Sequence, residues 1–111
     1  MRMNDATHWT VPVDHPVFAG HFPGTPILPG AMLLDTALHS IAAATGIALD
    51  LCEISSVKFL SPANPGDELM IQHVISDGGT IRFTIVAVAG TRKIAIGTFV
   101  PIAITVAQSP E

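Results

Sequence analysis

Cysteine is almost missing from this chain: Cys52 stands alone among 111 residues, so no disulfide can form within it. A lone thiol fits a reducing compartment, and a cytoplasmic setting is the expectation. Basic residues are nearly as scarce. Arg2, Lys58, Arg82, Arg92 and Lys93 form no long run, and the formal net charge is −4. Nucleic-acid binding draws most of its affinity from phosphate contacts and needs a dense basic surface, so that class is set aside. The opening MRMNDATHWT lacks the apolar core of a signal peptide. The apolar stretch from Ile27 to Leu49 is broken by Pro29, Gly30, Asp35, His39 and Gly46, whereas a spanning helix needs about 20 predominantly apolar residues. No membrane role is expected. There is no His-Glu-x-x-His, no convincing metal-ligand spacing, no phosphate-binding glycine loop and no Gly-x-Ser-x-Gly elbow. Neither a metal nor an organic cofactor is expected. Internal repeats and linkers are absent, so residues 1–111 are expected to form one domain.

What is present is apolar. Hydrophobic residues make up 49% of the chain and charged ones only 13%. A domain this short has a poor surface-to-volume ratio, so part of that apolar surface is expected to lie against another subunit, a homodimer by default. Trp9, Val11 and Val13 alternate with polar or small residues and predict a short strand. DHPVFAGHFPGTPILPG follows, with four prolines and three glycines, and predicts a stiff irregular loop. Gly30 to Thr45 is rich in Ala, Leu and Met, and Gly46 is a fitting left-handed stop, which predicts a helix. This helix is apolar nearly all round, the pattern of a buried one. Ile54–Leu60, Leu69–Ser76, Thr80–Ala89 and Lys93–Val106 then read as strands. Turns are expected at Asp77-Gly78-Gly79 and Ala89-Gly90. Pro101 implies an edge, a bulge or a break in the last run. The whole is an α+β arrangement: one long buried central helix wrapped by an antiparallel sheet.

Few residues in this frame carry chemistry. Asp35 falls mid-helix, where an ionised carboxylate needs a partner or a task if it is buried. One reading pairs it with His39, four residues on and on the same face. The other makes it a proton donor or acceptor tuned by burial. His21, framed by Gly20 and Phe22-Pro23-Gly24, titrates near neutrality and can act as a general base, against the plainer reading of a turn histidine. His8, His15 and His73 read as structural, and Cys52 as core. At Pro29-Gly30-Ala31 the loop meets the helix N-terminus, whose first N–H groups lack intrahelical partners and can hold a developing oxyanion.

The segment HPVFAGHFPGTPILPGAMLLDTAL resembles the active-site segment of the hotdog-fold 3-hydroxyacyl-acyl-carrier-protein dehydratases, and VKFLSPANPGDEL resembles a second segment of the same family. The likeness runs from about His15 to Phe99 and extends to the small dehydratases of aryl-polyene and polyketide-like pathways. It implies a hotdog fold and dehydration of (3R)-3-hydroxyacyl thioesters to trans-2-enoyl thioesters, carried on acyl carrier protein or coenzyme A. By position it makes His21 and Asp35 the catalytic pair, donated by different subunits of a dimer. Gly30 becomes the backbone donor to the thioester carbonyl, with Phe22, Pro29 and Ala31 around the substrate. Asp35 stands where many members of the single-function branch have Glu, and His39 where many have Gln, which leaves chain length and double-bond isomerisation open. A hotdog thioester hydrolase and a non-catalytic partner subunit are the rivals; an intact His21 argues against the first, and His21 with Asp35 against the second. Lys58, Arg82, Arg92 and Lys93 are candidates for docking an acidic carrier, with scattered solubilising charges as the alternative.

Overall fold

In a computed structural model, residues 3–13, 29–47, 49 and 52–102 are described. Strand β1 runs Met3–Thr10, helix α1 Gly30–Thr45, and strands β2 to β5 run Cys52–Phe59, Glu68–Ile75, Ile81–Ala87 and Arg92–Pro101. The proline-rich loop, with His21 and Phe22, lies outside the described residues, as does the chain beyond Ile102. Helix α1 begins where Pro29, at φ −60°, hands on to Gly30, and it ends at Gly46 in the left-handed conformation, whose N–H bonds the Ala42 carbonyl. The β3–β4 turn closes with Ser76 N–H to the Thr80 carbonyl at 2.9 Å, and Gly79 supplies the positive φ that turn needs.

The five strands form one antiparallel sheet in the order β1-β3-β4-β5-β2. Alternation along β3 and β4 sends Leu69, Ile71, His73, Ile81, Phe83 and Ile85 to one face. Leu33, Ala37 and Ile41 of α1 pack onto that face with Phe99 and Leu49 to make the core. Phe83 and Phe99 stack with centroids 4.5 Å apart over Gly97, where a Cβ would meet the Phe83 ring at 2.6 Å. Each fully buried Leu, Ile or Phe contributes about 1.5–3 kcal/mol, so this face carries most of the folding drive.

Two expectations change and a third is narrowed. The helix occupies the expected residues, yet it is buried only along Leu33, Ala37 and Ile41; Ala31, Asp35 and His39 are exposed. A five-stranded sheet from one chain covers one side of a helix and does not wrap it. The first strand starts and ends earlier than Trp9–Val13 implies: Thr10 is its last residue, and Val13 is 72% exposed. Pro101 closes β5 opposite Cys52, at a strand end where a missing N–H does no harm, and β5 is an interior strand. Of the three alternatives Pro101 left open, β5 carries a bulge, although not at the proline: Ile94 is an extra residue opposite Ile85 and Val86 of β4, and β2 has another between Ile54 and Ser56.

Candidate active site

Two apolar hollows flank α1. The first, of about 500 Å³, lies at the helix N-terminus between Gly30, Leu33, Phe59 and the connection Leu60–Ala63. Gly30 is there for space as well as for helix entry: a Cβ would meet Cζ of Phe59 at 2.8 Å. The Pro29 carbonyl already accepts from the Met32 and Leu33 N–H groups, both at 3.1 Å, and no described side chain caps this end. Helix geometry leaves the earliest N–H groups without intrahelical acceptors, in the positive potential of the dipole.

The second hollow, of about 360 Å³, runs along the open face of α1. Ala31, Leu34, Asp35 and Leu38 line it from the helix, with Leu49, Cys52 and Ile54 opposite. The spacing 31, 34, 35, 38 is one helical face, so among the described residues Asp35 is the single acidic group in an apolar lining. Its side chain is 68% exposed, against the burial expected from the sequence, because this face of α1 turns away from the sheet. His39 is within reach: Nδ1 lies 2.8 Å from the Asp35 carbonyl oxygen and 3.4 Å from carboxylate Oδ1. With both side chains so exposed, this is a weak contact and not a buried structural pair. Cys52, read from sequence as core, is only partly buried and borders the hollow; burial pushes its thiol above the usual range, away from reactive thiolate.

The four cations expected to dock a carrier separate into two groups. Lys58, Arg82 and Lys93 border one groove of about 450 Å³ with Ser56, Thr84 and Thr98, and among the described residues no acid lines it. Ser56, Thr98 and Arg82 are cross-strand neighbours in one row, and Lys58, Ile96 and Thr84 form the next. Arg82 alternates with the core residues Ile81 and Phe83, so the row faces away from α1. Arg92 stands apart, donating to Pro62 O at 2.7 Å, Ser61 Oγ at 3.0 Å and Asp67 Oδ2 at 3.1 Å.

Known proteins resemble this chain in fold and, more distantly, in sequence. Residues 3–97 match the ApeI-like family, described as ApeI dehydratase. The chain belongs to that family. A 3-hydroxyacyl-acyl-carrier-protein dehydratase from a Wolbachia of Drosophila simulans is 33% identical over 101 residues, covering 79% of this chain and 68% of its own. One from Chlamydia trachomatis is 35% identical over 71 residues, 56% of this chain and 46% of that one. The chain thus spans about half the length of several dehydratases it matches. Among solved structures, a dehydratase heterocomplex, ApeI:P, from Xenorhabdus doucetiae superposes with a TM-score of 0.68 at 23% identity, covering 93% of this chain and 95% of that one. A 1,4-dihydroxy-2-naphthoyl-CoA thioesterase from Synechocystis gives 0.62 at 14%, with coverages of 92% and 84%. At these identities the structures establish a hotdog-like fold.

Against the ApeI-like family, the described residues bring Pro29, Gly30, Ala31 and Asp35 onto one end and one face of α1, while His21 and Phe22 fall outside them. Sequence reasoning missed the apolar walls: Phe59 to Ala63 on one side, Leu49, Cys52 and Ile54 on the other. The SPANPGDEL segment was a usable signal for the first wall. The second wall depends on where an edge strand lies relative to a helix and leaves no local pattern.

Proposed function

We propose that this chain dehydrates 3-hydroxyacyl thioesters to trans-2-enoyl thioesters by β-elimination. The observation that carries the reading is the placement of Asp35. It lies five residues into α1, about 7.5 Å along the axis from Gly30, beside an apolar hollow in a chain of the ApeI-like dehydratase family. A thioester carbonyl at the helix N-terminus accepts from the Gly30 N–H, which acidifies the C2 proton. His21, assigned by sequence, takes that proton. The C2 electron pair forms the C2–C3 double bond, the C3–O bond breaks, and Asp35, protonated or through a water, gives the hydroxyl its proton so that it leaves as water. Positioned acid–base groups supply about 10²–10⁴-fold each, and one oxyanion donor about 3 kcal/mol. The apolar walls suit an acyl chain, with Asp35 as the acidic group among the described lining residues.

Residues 1–111 are read as one hotdog domain acting in the cytoplasm as a homo-oligomer. Support for oligomerisation comes from β2, an edge strand that leaves Ile54 and Phe59 about half exposed, with Leu60 beside them. A second copy along this edge would cover the open face of α1, and the family resemblance has the two catalytic residues come from different subunits. The groove bordered by Lys58, Arg82 and Lys93 is the docking place for an acidic carrier, by charge complementarity.

The test is a panel of 3-hydroxyacyl thioesters on coenzyme A and on acyl carrier protein, followed by enoyl absorbance and by release of free thiol. Enoyl formation without thiol release supports the dehydratase. Thiol release alone favours thioester hydrolysis, and neither product favours a non-catalytic partner subunit.

A further inference from the structure

Arg92 reaches from the start of β5 into the connection between β2 and β3, where its guanidinium makes three hydrogen bonds at once. Asp67 Oδ2, one of its acceptors, also takes the Asn64 N–H at 2.9 Å, which folds the connection onto itself. Ser61 Oγ in turn donates to the Lys93 carbonyl at 2.7 Å, and the Leu60 N–H to the Ile94 carbonyl at 2.8 Å. The residue just before Arg92, Thr91, is held at φ 48°, a conformation that β-branched residues rarely adopt. Such a turn persists only where the surroundings over-determine it, and here it presents the arginine to the connection. Two of the residues held, Ser61 and Pro62, are wall residues of the hollow facing Gly30.

We infer that Arg92 is a positioning residue for substrate: by holding Ser61 and Pro62 it fixes the wall opposite Gly30 and sets how firmly that hollow grips the thioester. This rests on the reading of the Gly30 hollow as the thioester site. Its action is geometric and calls for a planar fork of donors, which a lysine does not provide. The competing role, long-range attraction of an acidic carrier, calls only for positive charge, which a lysine keeps.

The contrast decides the experiment. Arg92→Lys and Asp67→Asn are compared with the unaltered protein, each checked for fold by circular dichroism and melting. Steady-state kinetics use a short free 3-hydroxyacyl thioester and a carrier-bound one, at low and high salt. A non-reactive short-chain acyl-pantetheine thioether is titrated by calorimetry as a binding probe. The latch predicts that both variants raise KM about tenfold, the equivalent of roughly 1.4 kcal/mol, with kcat nearly kept. The rise is the same for both substrates at both salt levels, and probe affinity falls in parallel. Unchanged KM and probe binding in folded Arg92→Lys and Asp67→Asn overturn the inference and leave dehydration standing. So does a loss confined to the carrier substrate and mimicked by salt. If the unaltered protein dehydrates nothing yet binds the probe, and the variants weaken that binding, the latch stands and the dehydration reading falls. A protein that neither reacts nor binds overturns both.

Discussion

The two faces of α1 do different work. Leu33, Ala37 and Ile41 are almost fully buried against the sheet, and their hydrophobic burial holds the fold. A quarter-turn away, Ala31, Leu34, Asp35 and Leu38 border an open hollow in which the one charged residue of the helix sits. The same kind of sequence, alanine and leucine around a helix, yields both. The difference is what lies opposite among the described residues: a completed sheet face on one side, and the edge strand of the sheet on the other. A helix whose second apolar face has no partner among the described residues leaves room for one, and under the proposed function that partner is substrate or a second subunit.

The largest effect that would test this division is on the closed face. Ile41→Ala removes a fully buried side chain and leaves a cavity, so it should destabilise the fold by about 2–5 kcal/mol in chemical denaturation. Next comes Asp35→Asn on the open face. It should cut dehydration by about 10²–10⁴-fold while the melting temperature stays near that of the unaltered protein, because the carboxylate supports no packing. A large melting shift with little rate loss would return Asp35 to a structural role.

A smaller effect is expected at His73, which lies in the core layer with both ring nitrogens lacking hydrogen-bond partners among the described residues. An unsatisfied buried polar group costs about 1–3 kcal/mol, so His73→Leu should leave stability level or raise it by about 1 kcal/mol in the same denaturation assay. A clear loss would mean that the imidazole has a partner to lose. The smallest effect belongs to His39→Ala. Its contact with Asp35 is exposed, so stability should change by less than about 0.5 kcal/mol.

Much of this fold is legible in the sequence. The Ala/Leu/Met run closed by Gly46 marks α1 to its last turn, and the Val/Ile/Phe/Thr runs mark β2 to β5, because helix propensity and strand alternation are local properties. The exposure of Asp35 is not legible there. Periodicity reports that a helix is apolar all round and is silent on which face its own chain covers. The role of Arg92 is hidden for a related reason: its acceptors are Ser61, Pro62 and Asp67, more than twenty residues away, and a long-range ion pair has no signature in sequence spacing. The extra residue in β2 escapes likewise, and the one in β5 is legible only as one of three options, since the place of a bulge is set by pairing between strands.

The central claim is that the open face of α1 performs elimination on a hydroxyacyl thioester. It is tested most directly by incubating the protein and its Asp35→Asn variant with the same 3-hydroxyacyl thioester, and following enoyl absorbance and free thiol together. The account predicts enoyl product from the unaltered protein, little or none from a folded Asp35→Asn, and no thiol from either. Equal enoyl formation by both proteins, or thiol release in place of enoyl, would contradict it.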